Sequence, residues 1–224
     1  MADPTELVDE IRSFLPNLDS DVADLLAHDR GYAFEAWCFT VLGDRLSTHR
    51  KWGWDHPPGG LARFSRSRGT TLTISRDRLS HIANGAVGTA RRSVCQSVNV
   101  EGRSQTTHAL DLVLTDLEDC DDPLAYRHVG AAIEAKNTSV GPEIARELVG
   151  LQTDMVAWCD CPPGRSRLAT LWLVSASGVS PNAAGMLDFY GISTVGSHEL
   201  QAIAAGLDHA ARALRFYRSA CAVC

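Results

Sequence analysis

Apolar residues recur at helical spacing near the start of the chain. Leu7, Ile11, Phe14 and Leu15 predict an amphipathic helix over 5–15. Asn17 to Asp21 supply cap residues for a second short helix through Leu26. A third helix is predicted from about Asp29, with Phe34, Trp37, Cys38, Val41 and Leu42 on its core face and Glu35 just beside that stripe. Residues 49–69 mix Gly, Pro, Arg and Trp and read as an irregular loop. The period then changes to two. Thr70 to Ile74 alternates, Val94 to Val100 alternates weakly, and His108 to Thr115 is a strong strand. Leu79 to Ala90 fits either a helix or a loop. Val129 to Ala135 is almost wholly apolar, which suits a strand covered on both faces. Pro142 opens a helix that runs to about Trp158, with Ile144, Leu148, Leu151 and Met155 inward. A strand over 168–175, a helix over 181–189, a strand over 191–195 and a final helix from Ser197 to about Arg218 complete the order.

A helix between the strands at 128–136 and 168–175 implies a parallel, right-handed crossover. The expected fold is an α/β/α sandwich around a mixed central sheet. A length of 224 residues suits one domain. Residues 1–28 read as a helical N-terminal extension, 29–218 as the domain body and 219–224 as a tail.

Charge changes this picture. The net charge is −6, yet residues 45–103 hold eleven bases and three acids (Asp55, Asp77, Glu101). That local excess of eight positive charges leaves −14 on the remainder. A basic segment beside an acidic body suits a phosphate-facing surface, with Arg50, Lys51, Arg66, Arg68, Arg91, Arg92 and Arg103 as candidate contacts. The plainer reading is a solvated arginine-rich face. The chain has no run of 18 apolar residues, and its acidic start lacks the apolar core of a signal peptide. Seven cysteines, an odd number, favour reduced thiols and a cytoplasmic location.

The candidate chemistry lies in the two strongest strands. Asp111 interrupts the run Ala109 to Leu114, and Glu134 interrupts Val129 to Ala135. A carboxylate inside an apolar strand is costly unless a cation compensates it. If the strands pair, the two acids converge on one ion, and the carbonyl of Ala135 can add a third oxygen. Magnesium suits hard oxygen ligands that leave room for water and phosphate, with manganese as its expected substitute. Lys136 follows Glu134 by two positions and shares its face. It is one of two lysines in a chain with 21 basic residues, so an amine in place of guanidinium is notable here. Such an amine can position or deprotonate an attacking water. Phosphodiester hydrolysis is the reaction this set suits. The competing reading is a surface Glu-x-Lys pair, with Asp111 satisfied by a backbone hydrogen bond.

Ile133-Glu134-Ala135-Lys136-Asn137, with Asp111 before it, resembles the PD-(D/E)xK nuclease superfamily, and most of all the Mrr-like restriction endonucleases. Gly31 to Glu35 resembles the family's opening helix, Ala109 to Val113 its aspartate strand, and Val140 to Gly150 the helix after its lysine. Leu171 to Ser180, with Ala183-Ala184 and Gly191-Ile192, resembles its closing elements, so the likeness spans about 31–200. The resemblance implies a restriction-endonuclease-like fold and a magnesium-dependent DNA endonuclease of bacterial restriction or anti-phage defence. It makes Asp111, Glu134 and Lys136 the core triad, with Glu35 assisting a metal through water and Gln152 as a polar neighbour. The sequence departs from the pattern in having Leu110 where a proline precedes the aspartate. The stretch 49–105 has no counterpart and reads as a basic insertion.

Other readings compete. The protein can be a repair or RNA nuclease, or a non-catalytic nucleic-acid-binding or scaffold subunit on the same fold. A homodimer or a targeting partner is compatible with the chain, and no membrane partner is expected. His108 reads as structural. Trp52 and Trp54 suit base stacking or, slightly better, anchoring of a loop. Asp116 to Asp122 reads as a solvated turn, since it lacks calcium-loop spacing. Cys159, Cys161, Cys221 and Cys224 are a remote candidate for zinc, and the C-terminal prenylation-like box is discounted.

Overall fold

The computed structural model describes residues 2–48, 52–55, 62, 64, 73–83, 86–115, 123–155, 157–158, 166–167 and 170–221. For residues 55, 73–83, 86–92, 127, 157–158, 166–167 and 211–221 it describes the backbone alone. Three helices open the chain: α1 (Pro4–Phe14), α2 (Ser20–His28) and α3 (Arg30–Ser47). Their starts follow from local chemistry. Asp3 caps α1 by accepting from the Thr5 N–H, with Pro4 in the first turn, and Asp29 caps α3 by accepting from the Tyr32 N–H. The strands β1 (Trp52–Asp55), β2 (Thr73–Ala83), β3 (Ala86–Glu101), β4 (Thr107–Thr115), β5 (Leu124–Ala125) and β6 (Val129–Lys136) follow. Helix α4 (Pro142–Met155), short strands β7 (Ala157–Trp158) and β8 (Ser166–Arg167), then β9 (Thr170–Ser175), α5 (Pro181–Phe189), β10 (Ser193–Gly196) and α6 (Leu200–Cys221) complete it.

Among the described residues the main sheet has eight strands in the order β1-β2-β3-β4-β6-β9-β10, with β5 beside β3. β1 to β4 and β6 pair antiparallel, while β6, β9 and β10 pair parallel, so the sheet is mixed. The expected parallel pairing of the two strands flanking α4 is present. Alternation along β6 sends Ala131, Ile133 and Ala135 into one core, with α1, α2, α3 and α6, and Ala132 into another, with α4 and α5. The architecture is an α/β/α sandwich.

Two expectations change. Within Leu79 to Ala90, read as helix or loop, the described residues 79–83 and 86–90 are strand and pair antiparallel. The described parts of the stretch taken as an insertion build β1, β2 and β3 of the central sheet. The helices of the N-terminal extension pack on the domain body, with Leu7, Val8, Ile11, Ala23 and Leu26 buried in the same core as the sheet. Residues 49–51 and 116–122 lie outside the described residues. Among the described residues no helix is long and apolar enough to cross a membrane.

Candidate active site

The site forms where β4 and β6 part. Their pairing runs through Leu112–Ile133, whereas β6 stays paired with β9 as far as Lys136–Ser175. One residue past the last β4–β6 pair, the Asp111 carboxylate takes over: its Oδ2 accepts the Ala135 N–H at 2.7 Å. In a strand the N–H and C=O of one residue point toward the same neighbour. The Ala135 carbonyl therefore faces the same opening as Asp111.

Lys136 Nζ lies 2.7 Å from Glu134 Oε2 and 3.5 Å from Asp111 Oδ2, so one ammonium spans both acids. The Glu134 side chain is only 7% exposed, and its second oxygen, Oε1, is buried with no hydrogen-bond partner. An orphaned carboxylate oxygen inside protein is expensive. Burial and then Asp111 raise the Glu134 pKa from 4.5 to about 7, with the lysine only partly opposing them. Lys136 responds in the opposite sense. Burial works against its charge, but Glu134, Asp111 and then Glu35 outweigh it and hold its proton more tightly than an ordinary lysine does. Lys136 is therefore a cation here, and the expectation of a readily deprotonated amine does not hold while both acids are free of metal.

Glu35, half-buried on α3, acts on this group through its charge. Cys38, one turn further on, is fully buried; desolvation, then Asp111 and Glu35, push its thiol well up, so it stays a protonated core residue. Gln152 is not joined to the trio. Its amide donates to the Tyr190 carbonyl at 3.1 Å and ties α4 to the end of α5. Asn137, the residue after Lys136, accepts from the Ala2 N–H at 3.0 Å and donates to the carbonyls of Ala2 and Arg30. It fastens the start of the chain and of α3 to the end of β6.

Sequence reasoning missed Ser97. It lies on β3 between the pairs Gln96–Leu112 and Val98–Leu110, in the row of Asp111, with φ 51°. A non-glycine residue in the left-handed region is strained, and such strain gathers at functional sites. Only the weakness of the alternation over Val94–Val100 hinted at it.

The remaining candidates sort clearly. His108 is structural: its Nε2 is 2.7 Å from Asp154 Oδ2, and Asp154 also accepts from the Ser104 hydroxyl and N–H. Trp52 is an anchor, buried with its indole N–H donating to Asp208, and Trp54 meets Phe39 edge to face. Arg103 is exposed on the β3–β4 turn, and its backbone N–H donates to the Asp154 carbonyl. Arg91 and Arg92 lie on β3. Arg50, Lys51, Arg66 and Arg68 fall outside the described residues, as do Cys159, Cys161 and Cys224, and the Cys221 side chain is not described. Cys95 is disulfide-bonded, which corrects the expectation of reduced thiols throughout.

The carboxylates of Asp111 and Glu134, the latter with its Oε1 buried and unpartnered, and the Ala135 carbonyl facing the same opening are hard-oxygen donors of the kind that suit a magnesium-like ion keeping most of its waters. Among the described residues no group of three or more His, Cys, Asp or Glu gathers as a metal cage.

No family model and no curated protein matches the chain. Among solved structures it is similar to protein VC1899 from Vibrio cholerae, at 10% identity and a TM-score of 0.39, over 90% of this chain and 37% of that one. The chain thus spans well under half the length of that protein.

Proposed function

We propose that this chain is a magnesium-dependent endonuclease that hydrolyses DNA phosphodiester bonds. In this reading it is a PD-(D/E)xK enzyme of the Mrr-like kind, serving restriction or anti-phage defence. One observation carries the reading: Asp111 and Glu134 share a single ammonium at the fork between two strands, while a second oxygen of Glu134 stays buried and unmatched.

Asp111, Glu134 and the Ala135 carbonyl would hold the ion, with manganese as a substitute. When bound, the metal lowers the pKa of a water and offsets charge developing on phosphate. The protein residues supply the rest. Asp111 holds its orientation through the Ala135 N–H. Glu134 gives up its proton to bind a cation, which couples binding to pH. With both acids neutralised by a cation, the Lys136 ammonium would be free to serve the phosphate or the attacking water. Glu35 adds negative charge behind the lysine and keeps it protonated until the acids are neutralised.

The test is cleavage of plasmid, linear and single-stranded DNA by purified protein with magnesium, with manganese and with chelator. Metal-dependent nicking or linearisation supports the reading. Intact DNA under every condition rejects it.

A further inference from the structure

The β3–β4 hairpin changes sides of the sheet at a single row. Val94 and its register partner Leu114 lie in the core with α1, α2, α3 and α6, as does Leu112. Val98 and its partner Leu110 lie in the other core, with α4 and α5. Residues two or four apart on a strand share a face, so a regular hairpin would keep Leu110 with Leu112 and Val98 with Val94. The switch falls between those pairs, on Ser97, with φ 51°, and Asp111. The crease therefore runs through the acid at the fork, and the outer half of the hairpin turns toward α4.

The tip of the hairpin is tied down there. Asp154, in the last turn of α4, accepts the Ser104 N–H at 2.8 Å and the Ser104 hydroxyl at 2.7 Å, and its Oδ2 is 2.7 Å from His108 Nε2. Its carbonyl accepts the Arg103 N–H at 3.0 Å. Gly102 opens the turn, and a Cβ there would overlap the Asp154 carboxylate. Closure of the fork is the competing arrangement. Continued past Leu112–Ile133, the ladder sets Asp111 opposite Glu134 and Leu110 opposite Ala135. The Ala135 N–H and carbonyl would then bond the Leu110 backbone, in place of the carboxylate and the opening. Two acids would also stand as direct cross-strand neighbours, which disfavours pairing.

We infer that the Asp154 latch holds the β4–β6 fork open and thereby places Asp111 at the metal site. The choice of ion rests on the nuclease reading. The outer half of the hairpin cannot both turn to α4 and continue the ladder beside β6. Four hydrogen bonds at the tip, three of them to a carboxylate, oppose the pair that closure would add between Ala135 and Leu110. With the tip fastened, the Asp111 carboxylate takes the Ala135 N–H, and the Ala135 carbonyl keeps facing the opening. Asp154 is thus a positioning residue. It touches neither ion nor substrate and acts through the path of β4. Groups that orient metal ligands from behind typically set metal affinity by about 10- to 100-fold.

The experiment measures manganese affinity of the full chain by calorimetry, together with the NMR resonance of the Ala135 amide proton, which lies downfield while a carboxylate holds it at 2.7 Å. Gly102→Ala drives the Asp154 carboxylate from its donors without removing any of them. It should weaken manganese binding about tenfold or more and move the Ala135 resonance upfield. His108→Leu should do the same. His108→Gln, which restores an N–H near the place of Nε2, should return both readouts toward wild type. Trp52→Phe deletes a remote buried bond, the indole N–H to Asp208, and controls for lost stability. It should leave both readouts unchanged. Thermal melts establish that each variant folds, and if Gly102→Ala does not, the two His108 variants decide. Wild-type affinity with an unmoved resonance in the folded latch variants overturns the inference, as does equal weakening by Trp52→Phe. If wild type binds manganese and cleaves DNA while the latch variants match it, the latch alone fails. If wild type binds no manganese, the metal reading fails, and the Ala135 resonance still decides whether the latch sets the fork.

Discussion

The Asp111 carboxylate stands in for a strand: it accepts the Ala135 N–H at 2.7 Å just where β4 stops pairing with β6. One hydrogen bond thus satisfies a buried backbone donor, fixes the direction of the Asp111 carboxylate and leaves an opening faced by the Ala135 carbonyl. Asp111→Asn keeps the shape but puts only one carboxylate at the opening. It should leave the melting temperature close to wild type and weaken magnesium or manganese binding at least tenfold by calorimetry. Unchanged metal affinity would remove Asp111 from the ligand set.

Glu134 makes metal binding depend on pH. Its pKa of about 7, set by burial and then by Asp111, means that below neutrality a bound proton competes with the cation. Metal affinity should rise from pH 6 to pH 8. Folding stability has the opposite sign. A carboxyl raised from 4.5 to about 7 in the folded state favours folding below 4.5 and loses that contribution as pH climbs through about 7. Metal-free protein should therefore melt lower at pH 8 than at pH 6, and Glu134→Gln should shrink the difference. Differential scanning calorimetry across that range checks both; a pH-independent difference between the two proteins contradicts the assignment.

Ser97 stores backbone strain next to the site. Ser97→Gly should be neutral or stabilising, since glycine adopts φ 51° freely, while Ser97→Val should cost about 1–2 kcal/mol. Chemical denaturation of the two variants measures this. A destabilising glycine with a tolerated valine would show that the left-handed backbone is not what the position requires.

Asp154 ties the β3–β4 turn to α4. Burial opposes its charge, but hydrogen bonds from His108 and Ser104 hold its pKa below the ordinary 3.8. The stability this gives is present above 3.8 and disappears as pH falls through the lower folded value. Asp154→Ala should destabilise by about 1–3 kcal/mol at neutral pH, because several donors lose their acceptor together. That penalty should fade in acid, and a penalty constant from pH 7 to pH 2 would argue against the charged latch.

Much of the site was legible because an acid in an apolar strand is conspicuous. Asp111 and Glu134 stood out for that reason, and alternation placed Lys136 on the face of Glu134. The hydrogen bond that organises them was not legible, since where two strands stop pairing depends on register across 24 residues of chain. The charge of the metal-free Lys136 was not legible for the same reason: Glu134 and Asp111 beside it, and Glu35 through its charge, come from three separate elements. Leu79 to Ala90 was ambiguous because its residues are small and mixed, and pairing with a neighbouring strand decided what local preference did not. Gln152, polar and on the helix after the lysine, was named from the family resemblance; its bond to the Tyr190 carbonyl depends on tertiary packing that the sequence does not display.

The most direct measurement compares plasmid cleavage by wild type and by Lys136→Ala under magnesium, with duplex DNA binding followed in parallel. Cleavage by wild type that falls at least about 100-fold in the variant, with binding kept, is the predicted result. A variant that cuts as fast as wild type, or a wild type that cuts with neither magnesium nor manganese, contradicts the account.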